Sequence, residues 1–373
     1  MIRPPLESRS ANAATLAELA QEVGAEVTGD GSVMITDAGP LGDATTGMIV
    51  LADHEDRLTK AIDSSAAAVV APRRVDVGAK PAILVDDVHA VFSKIVTHFH
   101  PEYVTPVVGI SPAAIIDPSA TLSPKANIHP GAVIGPGATI GDGATIHSGA
   151  IVSANCTVAD DAILFANATL YPGVSIGERT LIHAGAVIGA YGFGYSQSAG
   201  RHVLTAQLGA VQVGADVEIG AGACIDRGVY GPTRIGEGTK IDNLVQIGHN
   251  CQIGRHNLIC SQVGIAGSTQ TGDYVVMAGQ TGVRDHVTIG HGAQLGAKCG
   301  VSNDVPAGTS MLGIPAVPER MQKLRFAAIA KLPEMRKAFK TMRKQIAELE
   351  ARIAEAEPTP TDAAATGSAD RAA

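Results

Sequence analysis

Residues 118–152 read PSATLSPKANIHPGAVIGPGATIGDGATIHSGAIV, with an aliphatic residue at every sixth position. The same hexad spans residues 110–188, resumes over 213–225 and continues over 235–301, where only Thr271 breaks the aliphatic pattern. Such a period predicts a β-helix, because each hexad can form one short strand followed by a corner. Three hexads then close a triangular coil, in which each aliphatic side chain points inward and stacks on its equivalent one coil away. The sequence therefore predicts a mainly β protein built around a long hexapeptide prism.

The composition suits a narrow interior. Only 3% of the 373 residues are aromatic and none is tryptophan, whereas 45% are hydrophobic and 43 are glycines. This apolar content excludes a mostly disordered chain, and no apolar run approaches the ~20 residues that a membrane helix needs. The N-terminal segment has no apolar run after its basic residue, so we expect no secretory signal and a cytoplasmic protein. The five cysteines form no CxxC pair, so we expect neither disulfides nor a cysteine zinc site.

Two segments break the hexad. The first insertion, residues 189–212, contains three of the chain's aromatic residues, and the second insertion, residues 226–234, adds four residues to its coil. Both should lie outside the prism. A tolerated surface loop is the simpler interpretation of the two insertions. We favour a flap over a cleft between neighbouring prisms.

The segments outside the repeat predict further domains. Short buried strands and two amphipathic helices near the N-terminus indicate a small α/β binding module, too small to be a complete enzyme. We expect the following division: 1–12, disordered; 13–105, an α/β domain; 106–317, the β-helix; 318–357, C-terminal α-helices; 358–373, a disordered tail.

The C-terminal helical segment has two further properties. We expect it to be interrupted at Pro333, and residues 339–353 place apolar side chains at alternating spacings of three and four, which is a short coiled-coil seam. Three prisms side by side would bring three such helices together. Residues 320–344 contain nine Lys or Arg and one acidic residue, although the whole chain has a net charge of −8. A solvated helix face is the simpler explanation, but the asymmetry favours an acidic partner. The net charge and the lack of interleaved aromatic residues make nucleic acid an unlikely ligand.

Three histidines form a regular series. His129, His147 and His183 each follow an inward aliphatic residue, and Phe165 occupies the equivalent position between the last two. The spacing predicts one stacked column on the outside of the prism. We interpret this column as part of a subunit contact and assign it no catalytic role.

His249 is the strongest candidate for catalysis. It lies two positions after the inward Ile247, near a corner, and Asp242 precedes it by seven residues. A histidine whose tautomer is fixed by a carboxylate is a general-base arrangement. The spacing leaves open whether the carboxylate reaches the ring, and an ordinary surface histidine is the alternative. His286 follows His249 by 37 residues, which places it about two coils further along the prism.

A metal site is a competing hypothesis. His249, His286 and His291 have spacings of 37 and five residues, which resemble those of the three zinc ligands of gamma-class carbonic anhydrases. The longer spacing differs from that family's by one residue. A hydratase would also leave the N-terminal domain and the basic helix without a purpose, so we expect no metal.

The motifs together resemble the UDP-3-O-(3-hydroxyacyl)glucosamine N-acyltransferases of the lipid A pathway, over nearly the whole chain. The four most telling stretches are IGAYGFGY at 188–195, VEIGAGACIDRG at 217–228, IDNLVQIGHNCQIG at 241–254 and LGIPA at 312–316. The resemblance implies a left-handed parallel β-helix, a homotrimer and active sites in the clefts between subunits.

The resemblance also implies a reaction. A (3R)-3-hydroxyacyl chain moves from acyl carrier protein to the 2-amino group of UDP-3-O-acylglucosamine, and no cofactor is needed because a thioester is already activated. His249 matches the family's general base, and Asp242 matches its supporting carboxylate. The backbone N–H of Gly267 matches the proposed oxyanion donor. His286 matches a second active-site histidine, whose role stays open.

The resemblance implies substrate contacts as well. The N-terminal domain would bind the uridine nucleotide, but Leu51 and Arg57 stand where the family often has a Phe and a Tyr that sandwich the uracil. Either Arg57 stacks on the base or the pocket is built differently. We also expect His54, Asn243 and Gln246 to contact the sugar nucleotide. The residues expected to contact the acidic carrier protein are Lys337, Lys340, Arg343 and Lys344.

Two other functions were weighed against this one. A different hexapeptide acyltransferase would use acyl-CoA or acylate a sugar hydroxyl, and a scaffold protein would have no activity. The N-terminal domain and the basic helix argue against the first alternative. The placement of Asp242 and His249 argues against the second.

Overall fold

A computed structural model describes residues 12–101, 106–313 and 316–356 of the chain. The expected disordered segments at the two termini lie outside the described residues, apart from Asn12. The chain divides into two compact units, Met1–Val107 and Val108–Ala373. No helix in the described ranges is both long enough and apolar enough to cross a membrane.

The first unit is an α/β domain with one central sheet. Its helices are α1 (Leu16–Glu22), α2 (Glu55–Asp63) and α3 (Val88–Phe99), and a single 3₁₀ turn covers Leu41–Asp43. The sheet has five strands, in the spatial order Glu26–Thr28, Ala82–Val85, Ala68–Pro72, Met48–Leu51 and Asp37–Gly39. The first pair is antiparallel and the others are parallel, while Ala14–Thr15 and Met34–Ile35 form a separate two-stranded ribbon.

The helices of this domain cover both faces of the sheet. Helices α1 and α3 pack with Ile49 and Ile83 into one core, and α2 packs with Val50 and Val69 into the other. Helix α1 begins at Thr15 with a capping box. Helix α2 was not predicted from the sequence, because its N-cap residue is His54, whose side chain makes no capping hydrogen bond.

The second unit contains the predicted β-helix, with three parallel sheets of ten, ten and nine strands along its sides. Face 1 consists of Asn127–Ile128, Thr145–Ile146, Ile163–Leu164, Leu181–Ile182, Glu218–Ile219, Lys240–Ile241, Leu258–Ile259, Val276–Met277, Gln294–Leu295 and Ser310–Met311. Face 2 consists of Ile115–Ile116, Val133–Ile134, Ile151–Val152, Thr169–Leu170, Val187–Ala190, Cys224–Asp226, Gln246–Ile247, Gly264–Ile265, Gly282–Val283 and Gly300–Val301. Face 3 consists of Thr121–Leu122, Thr139–Ile140, Thr157–Val158, Ser175–Ile176, Val211–Val213, Thr233–Ile235, Gln252–Ile253, Gln270–Thr271 and Thr288–Ile289.

The inward positions are those that the hexad predicts. Ile134 pairs with Val152, and both are buried at 1% exposure or less. The exception, Thr271, faces the interior with a hydroxyl that accepts the Nδ2–H of Asn257 at 2.7 Å and the N–H of Gly254 at 2.9 Å. The fully buried Asn257 in turn accepts the Val275 N–H at 2.6 Å, so this polar pair inside the core is satisfied.

Both insertions leave the coil register intact. Across the first insertion Ile176 pairs with Val213, and across the second Val213 pairs with Ile235. The first insertion forms an exposed antiparallel hairpin of Tyr195–Ser198 with Arg201–Leu204. The prediction that the insertions lie outside the prism is therefore confirmed.

The C-terminal segment is one helix, α4 (Glu319–Ala356), with Pro333 inside it. The predicted interruption at Pro333 is therefore wrong, and so is the prediction of more than one helix. A proline removes a single intrahelical hydrogen bond and strains one turn, whereas the surrounding Ala, Leu, Lys, Met and Arg favour the helix on both sides. The seam residues Phe339 and Ile353 are 61% and 62% exposed.

Candidate active site

His249 lies at the corner that follows the face-2 strand Gln246–Ile247, and its ring is half-buried between two glycines. A Cβ atom on Gly192, in the first insertion, would lie 2.8 Å from the Cβ of His249. A Cβ atom on Gly267, in the next coil, would lie 2.7 Å from the His249 Nε2. Any side chain at either glycine would displace the imidazole, so the two backbones fix where the ring lies.

The other ring nitrogen contacts an asparagine. The His249 Nδ1 lies 3.1 Å from the amide oxygen of Asn250. That oxygen also accepts the backbone N–H of Val229 at 2.9 Å, and the Asn250 Nδ2 donates to the carbonyl of Gly231 at 3.3 Å. The Asn250 N–H donates to the Thr233 hydroxyl at 2.8 Å. One asparagine therefore joins the second insertion to the histidine.

Gly267 and His286 continue this corner in the two coils that follow. The Ser268 N–H donates to the carbonyl of His249 at 2.8 Å, and the His286 N–H donates to the carbonyl of Gly267 at 3.1 Å. Within the described parts of the chain the Gly267 N–H has no hydrogen-bond partner, which leaves it available to an oxyanion. His286 is exposed and lies two coils, roughly 10 Å, along the prism from His249.

A buried carboxylate lies near His249. Asp226 follows the inward Ile225 and is only 8% exposed. Burial raises the pKa of its carboxyl, and a hydrogen bond from Gln246 and the charge of His249 oppose that rise only in part. The thiol of Cys224 lies 3.9 Å from the Asp226 carboxylate. The sequence analysis quoted the stretch that contains Asp226 but gave the residue no role.

Asp242 lies at a different corner from His249. It follows a strand of face 1, and its carboxylate accepts the backbone N–H groups of Asn243 at 2.7 Å and Ser261 at 2.9 Å. The Asn243 amide oxygen accepts the Ala221 N–H at 2.6 Å. An extended strand separates the two corners by roughly 15–20 Å. The chain therefore does not bring Asp242 and Asn243 to the His249 ring, and both line a groove of about 590 Å³ on the other side of face 2.

Gln246 begins an open strip along face 2. Beyond it the outward position is occupied by Gly264, Gly282 and Gly300 in three successive coils. A Cβ atom on any of these glycines would meet nothing within 4 Å. These residues line a shallow groove of about 640 Å³ that reaches Ala266, next to the His249 corner.

The hypothesis of a zinc site gains no support. His291 lies at the corner after face 3, where its ring contacts Tyr274 edge-on at 5.7 Å between centroids. His249 and His286 lie at the preceding corner. Within residues 12–101, 106–313 and 316–356, no three His, Cys, Asp or Glu side chains gather in a way that could hold a metal ion.

The N-terminal domain has a cleft of about 920 Å³ of its own, which Leu51 and Arg57 line together with Lys60, Phe92 and His100. The Arg57 guanidinium contacts the Asp53 carboxylate at 3.2 Å.

Asp53 also lies 3.9 Å from the His54 ring, so three of the residues singled out in this segment adjoin one another. Partial burial works against ionisation of Asp53, but its own backbone N–H and the charges of Arg57, His54 and His89 lower the pKa of its carboxyl.

One polar atom at this cleft lacks a partner. The His100 Nε2 lies 2.6 Å from the Asp37 carboxylate. The His100 Nδ1 is buried and has no hydrogen-bond partner in the described part of the chain.

The four basic residues expected to contact a carrier protein lie on α4, and all are exposed. Lys344 is 3.7 Å from Glu348, one turn further along. Lys337, Lys340 and Arg343 make no ion pair within the described residues. The helix therefore presents a concentrated positive surface beside its exposed seam.

Comparison with known proteins agrees with this architecture. The family model described as bacterial transferase hexapeptide (six repeats) matches residues 119–154, 155–190 and 232–267. A UDP-3-O-acylglucosamine N-acyltransferase of Rhodopirellula baltica is 49% identical over 85% of this chain and 83% of its own length. One from Anaeromyxobacter sp. (strain K) is 41% identical over 92% of this chain and 99% of its own. The solved structure of UDP-N-acetylglucosamine O-acyltransferase from Moraxella catarrhalis aligns with a TM-score of 0.42, at 24% identity, over 67% of this chain and 92% of that one.

A left-handed parallel β-helix with this repeat defines a hexapeptide-repeat acyltransferase. Within that class, the chain belongs to the family of UDP-3-O-acylglucosamine N-acyltransferases.

Sequence reasoning missed three residues around His249. Gly192 lies within IGAYGFGY, but only the fold shows that its backbone contacts the ring. Asn250 follows His249 directly, and an asparagine at a corner is explained by its φ of 60° alone. A charged residue directly after the inward Ile225 was the available signal for Asp226, since a carboxylate at the end of a buried strand needs partners.

Proposed function

We propose that this chain transfers a (3R)-3-hydroxyacyl group from acyl carrier protein to the 2-amino group of UDP-3-O-acylglucosamine in lipid A synthesis. The curated relatives, which span nearly the whole chain, carry the name of this enzyme. The observation that carries the mechanism is the environment of His249. Its ring is held between two glycine backbones, its Nδ1 contacts an amide oxygen and its Nε2 faces an unpaired backbone N–H.

His249 acts as the general base. The amine nitrogen attacks the thioester carbonyl carbon, and the His249 Nε2 takes a proton from that nitrogen as the C–N bond forms. The Gly267 N–H donates to the oxyanion, a contact that contributes about 3 kcal/mol in comparable sites. The intermediate then collapses, the C–S bond breaks and the carrier's thiolate leaves with the proton held on His249. His286, two coils along, faces the same corner and contacts a more distant part of the substrates.

The open strip beside Gln246 accommodates the acyl chain. Three stacked glycines leave a channel without side chains, and Val283 and Val301 lie along it. An alkyl chain gains about 0.8 kcal/mol for each CH₂ that it buries. The strip adjoins Ala266, so a chain lying in it would place its thioester near the catalytic corner.

The cleft of the N-terminal domain binds the uridine diphosphate. Phe92 supplies an aromatic ring although the family's usual pair is absent, and Arg57 and Lys60 place positive charge at the cleft for the phosphates. The unpaired His100 Nδ1 offers a hydrogen bond to the base. Leu51 and His54 complete the apolar and the exposed edge of this site.

A homotrimer explains the surface of the prism and the place of Asp242. Outward positions on faces 1 and 2 include Ile163, Leu181, Leu258, Val276, Ile115, Val133, Ile151 and Val187. On face 3 they are all polar: Thr121, Thr139, Thr157, Ser175, Gln212, Arg234, Gln252, Gln270 and Thr288. Faces 1 and 2 therefore suit burial between copies. A role for Asp242 or Asn243 beside His249 requires that they come from a neighbouring copy.

The test is a His249→Ala variant assayed with acyl carrier protein thioester and UDP-3-O-acylglucosamine. We expect kcat/KM to fall by about 10²–10⁴-fold, the usual cost of removing a general base. The ring is only half-buried, so the variant should keep its fold and trimer mass.

The matched control is His291→Ala, since His291 also lies two positions after an inward isoleucine but at another corner. This control should keep the parental rate. An alanine variant at position 249 within fivefold of the parent, or an inactive parent, would contradict the proposed function. Equal losses in both variants would favour a metal site instead.

A further inference from the structure

The neutral partner of His249, and not a carboxylate, carries the next inference, which rests on the proposed function. We infer that Asn250 is a positioning residue that fixes His249 as its Nδ1–H tautomer and so presents Nε2 as the proton acceptor. The argument depends on three hydrogen bonds of the Asn250 side chain and on none that involves a substrate.

The orientation of the Asn250 amide is determined by two backbone groups. The Val229 N–H can only donate, and it lies 2.9 Å from the Asn250 Oδ1. The Gly231 carbonyl can only accept, and it lies 3.3 Å from the Nδ2. Exchanging oxygen and nitrogen would place donor against donor and acceptor against acceptor. The atom that faces His249 is therefore the oxygen.

The orientation of the amide determines the tautomer of the ring. The Asn250 Oδ1 lies 3.1 Å from the His249 Nδ1, so Nδ1 must bear the hydrogen. A neutral imidazole carries one N–H, so Nε2 holds the free lone pair. Nε2 is the nitrogen that lies against Gly267, on the side of the free backbone N–H. Base and oxyanion donor thus face the same space.

A neutral partner has a consequence that a carboxylate would not have. An amide oxygen orients the ring without adding a negative charge, so it does not favour the imidazolium form. The ring then stays neutral and competent as a base at lower pH than it would beside a carboxylate. Asp242, whose carboxylate is held by two backbone amides, is not needed to set the tautomer.

Two substitutions separate tautomer control from loop anchoring. Asn250 has a φ of 60°, where glycine is unstrained, so Asn250→Gly removes the side chain without backbone strain. Asn250→Asp keeps an oxygen acceptor for Nδ1 and for Val229 but introduces charge. Thr233→Val is the matched control, because it removes the acceptor of the Asn250 N–H and weakens the same loop without touching the ring.

We expect Asn250→Gly to lower kcat by about 10- to 100-fold, as losing the partner of a functional histidine does elsewhere, with little change in either KM. Asn250→Asp should retain most of kcat at high pH, and the acidic limb of its pH–kcat/KM profile should move up by about one pH unit, because the carboxylate stabilises the imidazolium. Thr233→Val should keep the parental pH profile.

Three results would overturn the inference while the parent is active. They are an Asn250→Gly variant with parental kcat, an Asn250→Asp variant with an unmoved acidic limb, and a Thr233→Val variant that reproduces the loss in Asn250→Gly. If Asn250→Gly does not form the parental assembly, the pH profile of Asn250→Asp decides alone. An inactive parent would contradict the proposed function and would say nothing about Asn250.

Discussion

Asp226 places a carboxylate where water has little access, and this has a consequence for stability. Burial raises the pKa of the carboxyl, so the folded protein binds this proton more tightly than the unfolded chain does. Stability from this group is therefore greatest at low pH. It falls as pH rises from the unfolded value, about 3.9, to the raised folded value, and stays constant above that.

An Asp226→Asn substitution should remove this pH dependence. The neutral amide keeps an oxygen for Gln246 and needs no ionisation, so we expect the Tm at neutral pH to rise by about 2–4 °C over the parent. Near pH 4, where the parental carboxyl is protonated, the difference should shrink. Thermal unfolding of both proteins at the two pH values measures it. The same difference at both values, or a lower Tm at neutral pH, would contradict the assignment of a buried charge.

The periodic residues were predictable one by one, and the residues around His249 were not. The column of His129, His147, Phe165 and His183 stacks as predicted, with ring centroids 4.8, 5.2 and 4.9 Å apart. Its members occupy the same place in successive coils, so sequence spacing converts directly into distance. Gly192 belongs to an insertion that has no such reference, so no spacing could place its backbone against a ring many residues away.

At the scale of the elements, α4 combines two surfaces that the prism does not cover. Its seam and its basic side chains are exposed over residues 319–354, and Pro333 does not divide them. Sequence reasoning found both the seam and the charge from composition and spacing. It overestimated the proline, because a helix of this length can lose one hydrogen bond and retain all the others.

Reversing the four basic residues of α4 to Glu (Lys337, Lys340, Arg343 and Lys344) should raise the KM for the carrier-protein thioester. The KM for the sugar nucleotide should barely change. Attraction between exposed charges acts through steering and rim contacts and is screened within about 10 Å at moderate salt. Added salt should therefore weaken donor binding in the parent and have much less effect in the variant.

The matched control for this helix reverses four basic residues nearer its start (Arg320, Lys323, Arg325 and Lys331). It makes the same change in net charge on the same element. An equal effect of the control on the donor KM would mean that the overall field, and not a docking surface at 337–344, attracts the carrier. Assembly mass must be parental in both variants, since the seam lies on the same helix.

At the scale of the whole molecule, the three faces of the prism differ in what they offer to other copies. Ile151, on face 2, is 40% exposed, although nothing in a single chain requires an aliphatic side chain there. Thr157 occupies the equivalent outward position on face 3. The contrast predicts which faces become buried on assembly and which stay in water.

An Ile151→Lys substitution should weaken the trimer, because a charge would have to enter a buried interface without a partner. Thr157→Lys adds the same charge on the polar face and should leave the trimer intact. Light scattering coupled to size-exclusion chromatography gives both masses, and circular dichroism checks the fold. Persistence of the Ile151→Lys trimer at low concentration would exclude face 2 from the contact.

The first insertion is attached to the prism at a single corner, since Ile176 and Val213 pair as though the residues between them were absent. Its length and sequence are therefore free to vary over evolution without disturbing the stacking of coils, while Gly192 keeps whatever replaces the hairpin next to His249. Substrate preference can diverge at this corner faster than the scaffold itself changes. A hairpin transplanted from a relative between residues 193 and 206 should bring its donor's preference with it and leave the recipient's folding unaltered.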